Sequence, residues 1–222
     1  KDAFDAERSF AANAAHELRT PLAGAIAQAQ RLQSETGDPA AAARAADIEA
    51  TLKRLTRLSE RLMQLARAEG GRLRLDKTSD LRGIATIIVE EIERETSSGR
   101  IKLTLPDGPV ISDLDPDAFG ILCRNLIENA IRHGAGIAPI AVLLSQDGIL
   151  RVANGGPVVP KEKLQNLTTR FERAGSNTTG SGLGLAIVAA IAERIGSELI
   201  LKSPRVGEED GFEVSIRLPT GP

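Results

Sequence analysis

Residues 48–65, IEATLKRLTRLSERLMQL, decide the first part of the fold. Ile48, Leu52, Leu55, Leu58, Leu62 and Leu65 recur every three or four residues, which places them in one stripe along a helix. The stripe is expected to be buried. Outward from it, residues from Asp2 to about Glu69 hold almost no glycine and are rich in Ala, Leu, Arg and Glu, a helical composition. The pattern breaks at Gly37-Asp38-Pro39, where Asp38 can cap and Pro39 can open a second helix. On the first helix Phe10, Ala14, Leu18, Leu22, Ala25, Ala29 and Leu32 share a face. Two long helices with a short connection form an antiparallel hairpin. Alone, such a hairpin has little core. Pairing with a second copy into a four-helix bundle would bury both stripes, so a homodimer is expected, against packing of the stripe on the rest of this chain.

Gly70-Gly71 closes the second helix, and the following residues to Asp80 read as a linker. The texture then changes. Leu81 to about Thr96 reads as helix, and the alternation of Ile101, Leu103 and Leu105 reads as a strand. Asp115-Pro116 opens a helix that Gly134 ends. Ile140–Leu144 and Ile149–Val152 flank Gln146-Asp147-Gly148, a hairpin signature. Gly182–Ile195 reads as an apolar helix, and Leu199–Leu201 and the alternation from Phe212 to Leu218 as strands. The expected organisation is a helical hairpin over 1–70, a linker over 71–80 and an α+β layer sandwich over 81–222.

Composition narrows the functional classes. The 222 residues carry 28 basic and 30 acidic side chains, a net charge of −2, which advertises neither nucleic acid nor an anionic membrane surface. Aromatics are 2% of the chain, too few for base-stacking platforms. Cys123 is the one cysteine, so no internal disulfide forms, and two histidines rule out a multi-histidine metal cage within one chain. The longest apolar run, Leu185–Ala192, is too short to span a bilayer. The opening Lys1-Asp2 reads as the start of an excised fragment.

Three places carry chemistry. His16 lies about 160° from the middle of the first helix's apolar stripe and so points to solvent. It stands in His16-Glu17-Leu18-Arg19-Thr20-Pro21-Leu22. Glu17 can hold one ring nitrogen as a donor, leaving the other with a free lone pair, a usable nucleophile near neutral pH. Thr20 is one turn along on the same face, and Pro21 permits a local bend. The zinc-protease pattern His-Glu-x-x-His is excluded, because its fifth position is Thr20.

The second place is Asn125-Leu126-Ile127-Glu128-Asn129-Ala130-Ile131-Arg132-His133, with Asn125, Asn129 and Arg132 on one helical face. Two amide oxygens and a guanidinium suit a hard cation and phosphate; the plain alternative is a solvated polar face. The third is glycine-rich. Asn154-Gly155-Gly156-Pro157 allows backbone to approach a flat ligand while Asn154 bonds a base edge, unless it is a simple turn. Gly180-Ser181-Gly182-Leu183-Gly184-Leu185 opens a helix whose first amides favour phosphate. It matches neither the dinucleotide fingerprint nor a Walker loop.

Taken in order, these strings resemble a bacterial sensor histidine kinase of two-component signalling, over essentially the whole chain. His16–Pro21 is similar to the phosphoacceptor box, Asn125–Asn129 to the N box, Val152–Pro160 to the first glycine box, Leu167–Arg173 to the phenylalanine box and Gly180–Leu185 to the second glycine box. The resemblance implies a dimerising phosphotransfer hairpin followed by an ATP-binding domain of the gyrase and Hsp90 type. It implies that His16 receives the γ-phosphoryl group of ATP, that Glu17 activates it, and that Thr20 supports dephosphorylation of the partner. Asn129 would hold Mg²⁺ with Asn125 nearby, Arg132 would reach phosphates, and His133 would sit near the nucleotide. Asn154 would meet the adenine amino group beside Gly156. Gly180, Gly182, Leu183 and Gly184 would flank the triphosphate, with Arg173 a further phosphate contact and Phe171–Thr179 a lid.

The implied partners are a second copy and a response-regulator receiver domain, with no nucleic acid. The implied place is the cytoplasmic side of an inner-membrane sensor whose membrane segments lie outside this fragment. Asn154, Val158 and Thr168 depart from the family pattern, which usually has aspartate, glycine and phenylalanine there. An amide in place of the aspartate weakens the adenine bond by on the order of 1 kcal/mol. Two competing readings are a degenerate kinase acting as a dimeric conformational relay and a gyrase-like ATPase.

Overall fold

The computed structural model describes residues 2–70, 72–97, 99–169 and 182–221, and within 2–16 the backbone alone. The chain divides into two compact units, Lys1–Gly71 and Arg72–Pro222.

The first unit is two helices, α1 (Asp2–Glu35) and α2 (Pro39–Gly70). Asp38 Oδ1 accepts from the Ala40 amide at 2.9 Å, the N-cap anticipated for α2. Arg19 pairs with Glu60 and Gln30 with Glu49, so residue numbers rise along α1 as they fall along α2. The hairpin is antiparallel. Helix α1 runs through Pro21.

Within one chain the apolar stripes are only partly buried. The buried positions among the described residues of the hairpin are Ala29, Ala45 and Ala68, with Leu65 of the stripe. Leu18, Leu32, Ile48, Leu55 and Leu62 remain exposed. Ile48, Leu55 and Leu62 are spaced by seven, as are Leu18, the half-buried Ala25 and Leu32. A seven-residue spacing keeps one line of side chains on one side of a helix. Phe10 and Ala14 have side chains outside the described residues.

The second unit runs β1 (Arg74–Asp80), α3 (Leu81–Thr96), β2 (Ile101–Thr104), β3 (Ile111–Leu114), α4 (Pro116–His133), β4 (Ile140–Leu144), β5 (Ile149–Asn154), α5 (Lys161–Leu164), α6 (Gly184–Arg194), β6 (Leu199–Lys202) and β7 (Phe212–Arg217). Five strands form one sheet in the order β2-β4-β5-β7-β6. β2 and β4 are parallel, and the remaining neighbours are antiparallel. Leu150 and Val152 of β5 and Val214 and Ile216 of β7 are buried with Leu122, Leu126 and Ile127 of α4 and Ile187 and Ile191 of α6. Alternation along the strands and a 3.6 period along the helices make this a two-layer sandwich.

Residues expected as linker are partly strand: β1 pairs antiparallel with β3, a strand the apolar pattern did not announce. The reason is physical. β1 reads Arg-Leu-Asp-Lys-Thr-Ser-Asp and is mostly exposed, so no alternation marks it. Backbone pairing and the Arg74–Asp113 ion pair at 2.8 Å hold it. Asp80 and Asp115 cap α3 and α4, accepting from the amides of Arg82 at 3.1 Å and Asp117 at 2.8 Å. Gly134 ends α4, but at φ −70° rather than in the left-handed conformation. Space explains that glycine: a Cβ there would stand 2.6 Å from the Ala130 carbonyl and 3.3 Å from Asn154 Cβ. Helix α6 starts two residues later than expected, because Gly182 turns the chain at φ +67° before it.

Candidate functional site

The second unit assembles a site at the C-terminal ends of α4 and β5. Asn154 is the last residue of β5, an inner strand flanked by β4 and β7, and is 2% exposed. It is paired with Ile140 on one side and Phe212 on the other. Two backbone bonds fix the glycine turn that follows. The Ala135 amide, just past α4, donates to the Gly155 carbonyl at 2.8 Å, and the Gly211 amide, just before β7, donates to the Gly156 carbonyl at 2.7 Å. Gly156 has φ +146°, a conformation that strains any side-chain-bearing residue, and a Cβ there would stand a tight 3.2 Å from the His133 carbonyl.

Asn154 Nδ2 donates to the Gly155 carbonyl at 3.0 Å. Its Oδ1 is buried with no hydrogen-bond partner. A flipped amide would set Oδ1 against the Gly155 carbonyl oxygen, so the orientation is forced. A buried acceptor left unsatisfied costs about 1–3 kcal/mol, and a ligand donor removes that cost.

On α4, Asn125 is 4% exposed and donates through Nδ2 to the Ile121 carbonyl at 2.8 Å, one turn back. It is therefore not part of a solvated polar face. Asn129 is half-buried one turn on, and Arg132 and His133 are exposed at the helix end. Partial desolvation, and then the neighbouring Arg132 charge, hold the His133 imidazole below its ordinary value. Amide oxygens are hard donors, so Asn129 with Asn125 suits Mg²⁺ shared with phosphate oxygens. Among the described residues no cluster of three or more His, Cys, Asp or Glu could hold a metal ion. Cys123 on the same helix is buried, which pushes its thiol far above the ordinary range and leaves it inert.

At α6 the N-cap is Leu183, fully buried, and no side chain caps the helix. Gly182, Leu183 and Gly184 thus stand at a helix start that presents backbone amides. Gly180 and Arg173, and Phe171–Thr179 as a whole, lie outside the described residues. Thr168 is the departure from the phenylalanine pattern that stays within them. In the other unit Glu17 and Thr20 are exposed on α1. His16 belongs to the same helix, its side chain outside the described residues.

The chain matches two family models in the same order. Residues 6–71 match the His Kinase A (phospho-acceptor) domain, and residues 114–222 match the histidine kinase-, DNA gyrase B- and HSP90-like ATPase. The chain belongs to the sensor histidine kinases. It is 32% identical over 222 residues to the sensor protein QseC of Escherichia coli K12, covering 95% of this chain and 47% of that protein. It is 34% identical over 229 residues to the sensor protein kinase PmrB of Pseudomonas aeruginosa, covering 99% and 47%. This histidine kinase segment therefore spans about half the length of the curated relatives it matches. Among solved structures, full-length ShkA in complex with AMPPNP shares the fold at a TM-score of 0.69 and 21% identity, over 96% of this chain and 46% of that one. In this kinase segment, no helix among the described residues is long and apolar enough to cross a membrane.

Sequence reasoning did not single out Gly211. It has φ +83°, and a Cβ on it would collide with the Asn154 carbonyl oxygen. Its signal was only a glycine preceding an apolar strand, and its partner lies 57 residues away in the chain. Arg205, described below, carried no motif at all.

Proposed function

We propose that this segment binds Mg²⁺-ATP in its second unit, transfers the γ-phosphoryl group to His16, and passes it on to an aspartate of a response-regulator receiver domain. The observation that carries the reading is the buried, unpartnered Asn154 Oδ1 above a glycine turn stitched to α4 and β7. An acceptor so placed is complementary to the exocyclic amino group of adenine. The ATPase-type family match over residues 114–222 supports the same reading.

The residues divide the work. Asn154 reads the base edge, and Gly156 lets the ring come close to backbone. Asn129, with Asn125 behind it, would hold Mg²⁺, which neutralises charge on the phosphate oxygens when bound. Arg132 and the amides after Gly182, Leu183 and Gly184 orient phosphates, with Gly180 and Arg173 as further contacts. His133, kept neutral by its lowered pKa, adds no charge at the base end. Phosphoryl transfer needs in-line placement and charge stabilisation more than covalent help. The His16 ring nitrogen donates its lone pair to the γ-phosphorus; the N–P bond forms as the β,γ-bridging P–O bond breaks, and ADP leaves with that electron pair. Glu17 accepts the proton from the other ring nitrogen. Thr20 positions a water that attacks the regulator's phosphoaspartate phosphorus, so that its P–O bond to the carboxylate breaks and inorganic phosphate leaves.

The exposed seven-residue lines on α1 and α2 support a homodimer through a four-helix bundle. The whole protein is then a membrane sensor whose cytoplasmic portion is this segment. The experiment is incubation with γ-labelled ATP and Mg²⁺, comparing wild type with His16→Ala and calorimetry on both. Acid-labile, base-stable label on wild type only, with equal nucleotide binding by both, supports the proposal. Nucleotide binding without label would favour a non-catalytic relay, and steady phosphate release without a phosphoprotein an ATPase.

A further inference from the structure

The β6–β7 connection, residues 203–211, lies directly behind the Asn154 turn and has no role in the reading above. It grips that turn from both sides. The Gly211 amide holds the Gly156 carbonyl at 2.7 Å. The Ser203 hydroxyl donates to the Gly211 carbonyl at 2.6 Å and accepts from the Val159 amide at 2.8 Å, beyond the turn's far end.

Inside this grip sits the Arg205 side chain. Its Nη2 bonds Asp210 Oδ1 at 3.2 Å, and its own amide bonds the Asp210 carbonyl at 3.1 Å, which closes the loop on itself. The stem and guanidinium are packed against the two glycines that flank Asn154. A Cβ on Gly211 would stand 3.0 Å from Arg205 Cδ and 3.1 Å from Nε, and one on Gly155 would stand 3.8 Å from Nη2 and 3.9 Å from Asp210 Oδ2. Arg205 Nε is buried with no hydrogen-bond partner. Such an N–H is unfavourable to keep, so the side chain is held by the Asp210 pairing of Nη2 and by its packing against Gly155 and Gly211, not by Nε.

We propose that Arg205, braced by Asp210, is a positioning residue for the base end of the nucleotide site, acting through the Gly155 and Gly211 backbone on the direction of the Asn154 acceptor. The inference rests on the nucleotide reading of Asn154, and it makes the 203–211 loop a determinant of adenine affinity. Arg205 packs against Gly155 and Gly211 at the base end, so on this proposal its loss weakens every adenine compound alike. The Asp210 partner is largely exposed, and an ion pair of that kind adds little to global stability.

The test uses the full chain with Arg205→Met, Arg205→Lys and Asp210→Asn, read by nuclear magnetic resonance titration with adenosine, ADP and the non-hydrolysable analogue AMPPNP. Expected are a shift of the Asn154 side-chain amide and Gly155 amide signals in Arg205→Met, and about tenfold weaker binding of all three ligands. Asp210→Asn should lose a smaller factor and Arg205→Lys recover part of it. If Arg205→Met does not fold, Asp210→Asn carries the same comparison. Unmoved Asn154 and Gly155 signals would overturn the inference whether or not nucleotide binds. So would a loss confined to the phosphate-bearing ligands. Failure of wild type to bind any of the three, with the signals still shifting, would instead overturn the nucleotide reading.

Discussion

Asn154 donates through Nδ2 to the Gly155 carbonyl at 3.0 Å, and that bond directs its Oδ1 into a buried position without a partner. The side chain is thereby an acceptor toward any ligand. Adenine offers a donor at its 6-position, and hypoxanthine offers a second acceptor. Wild type is expected to bind ATP at least tenfold more tightly than inosine triphosphate, about 1.4 kcal/mol or more. Asn154→Ala should lower ATP affinity by at least as much and erase the discrimination. Competition calorimetry with the two nucleotides checks both statements.

The turn's second support is Gly211, at φ +83° with no room for a Cβ against the Asn154 carbonyl. Gly211→Ala is expected to destabilise the protein by about 2–4 kcal/mol, the sum of left-handed strain and a backbone collision. Gly196 has φ +69° but open space around it. Gly196→Ala should therefore cost only about 1 kcal/mol. Urea denaturation of the three proteins measures the difference.

Legibility in the sequence followed the physics of each element. Both long helices, the β4–β5 hairpin, α4 and β7 were visible because burial of one face imposes a period on the apolar residues. β1 and β3 were not, since a short exposed pair is held by backbone bonds and the Arg74–Asp113 ion pair. At the site, Asn125, Asn129 and Asn154 were marked by their strings. Burial changes the character of two of them: Asn125 is tied to the Ile121 carbonyl and Asn154 to Gly155. Gly211 packs against Asn154, and Arg205 against Gly155 and Gly211, from far along the chain, and no local pattern encodes such contacts.

The lines Ile48-Leu55-Leu62 and Leu18-Ala25-Leu32, exposed but for the half-buried Ala25, are the face proposed to pair with a second copy. Replacing Leu55 and Leu62 with glutamate should convert a dimer into a folded monomer. Sedimentation equilibrium measures the mass, and circular dichroism should show the overall helical content retained. An unchanged dimer would place the interface elsewhere.

Asp80 caps α3, also accepts from the Val110 amide at 3.1 Å, and pairs with Arg82 at 2.8 Å. The Arg82 hydrogen bonds foremost, helped by the Val110 amide, lower its carboxyl from 3.8 to about 2, against the opposing effect of burial. The folded state thus holds its proton less tightly than the unfolded chain. The contribution to stability is complete above pH 4 and declines as pH falls toward 2. Asp80→Ala should cost about 1–2 kcal/mol at pH 7, and the gap between wild type and variant should narrow between pH 4 and pH 2. Denaturation at a series of pH values reads this directly.

The central claim is that the γ-phosphoryl group of ATP is carried to His16. Mass spectrometric mapping of the protein after incubation with Mg²⁺-ATP, under alkaline conditions that preserve phosphohistidine, tests it most directly. The account predicts one phosphoryl group, on the peptide containing His16 and on that side chain. A phosphoryl group found on His133 or on any other residue, or a His16 peptide that stays unmodified while nucleotide is bound, would contradict it.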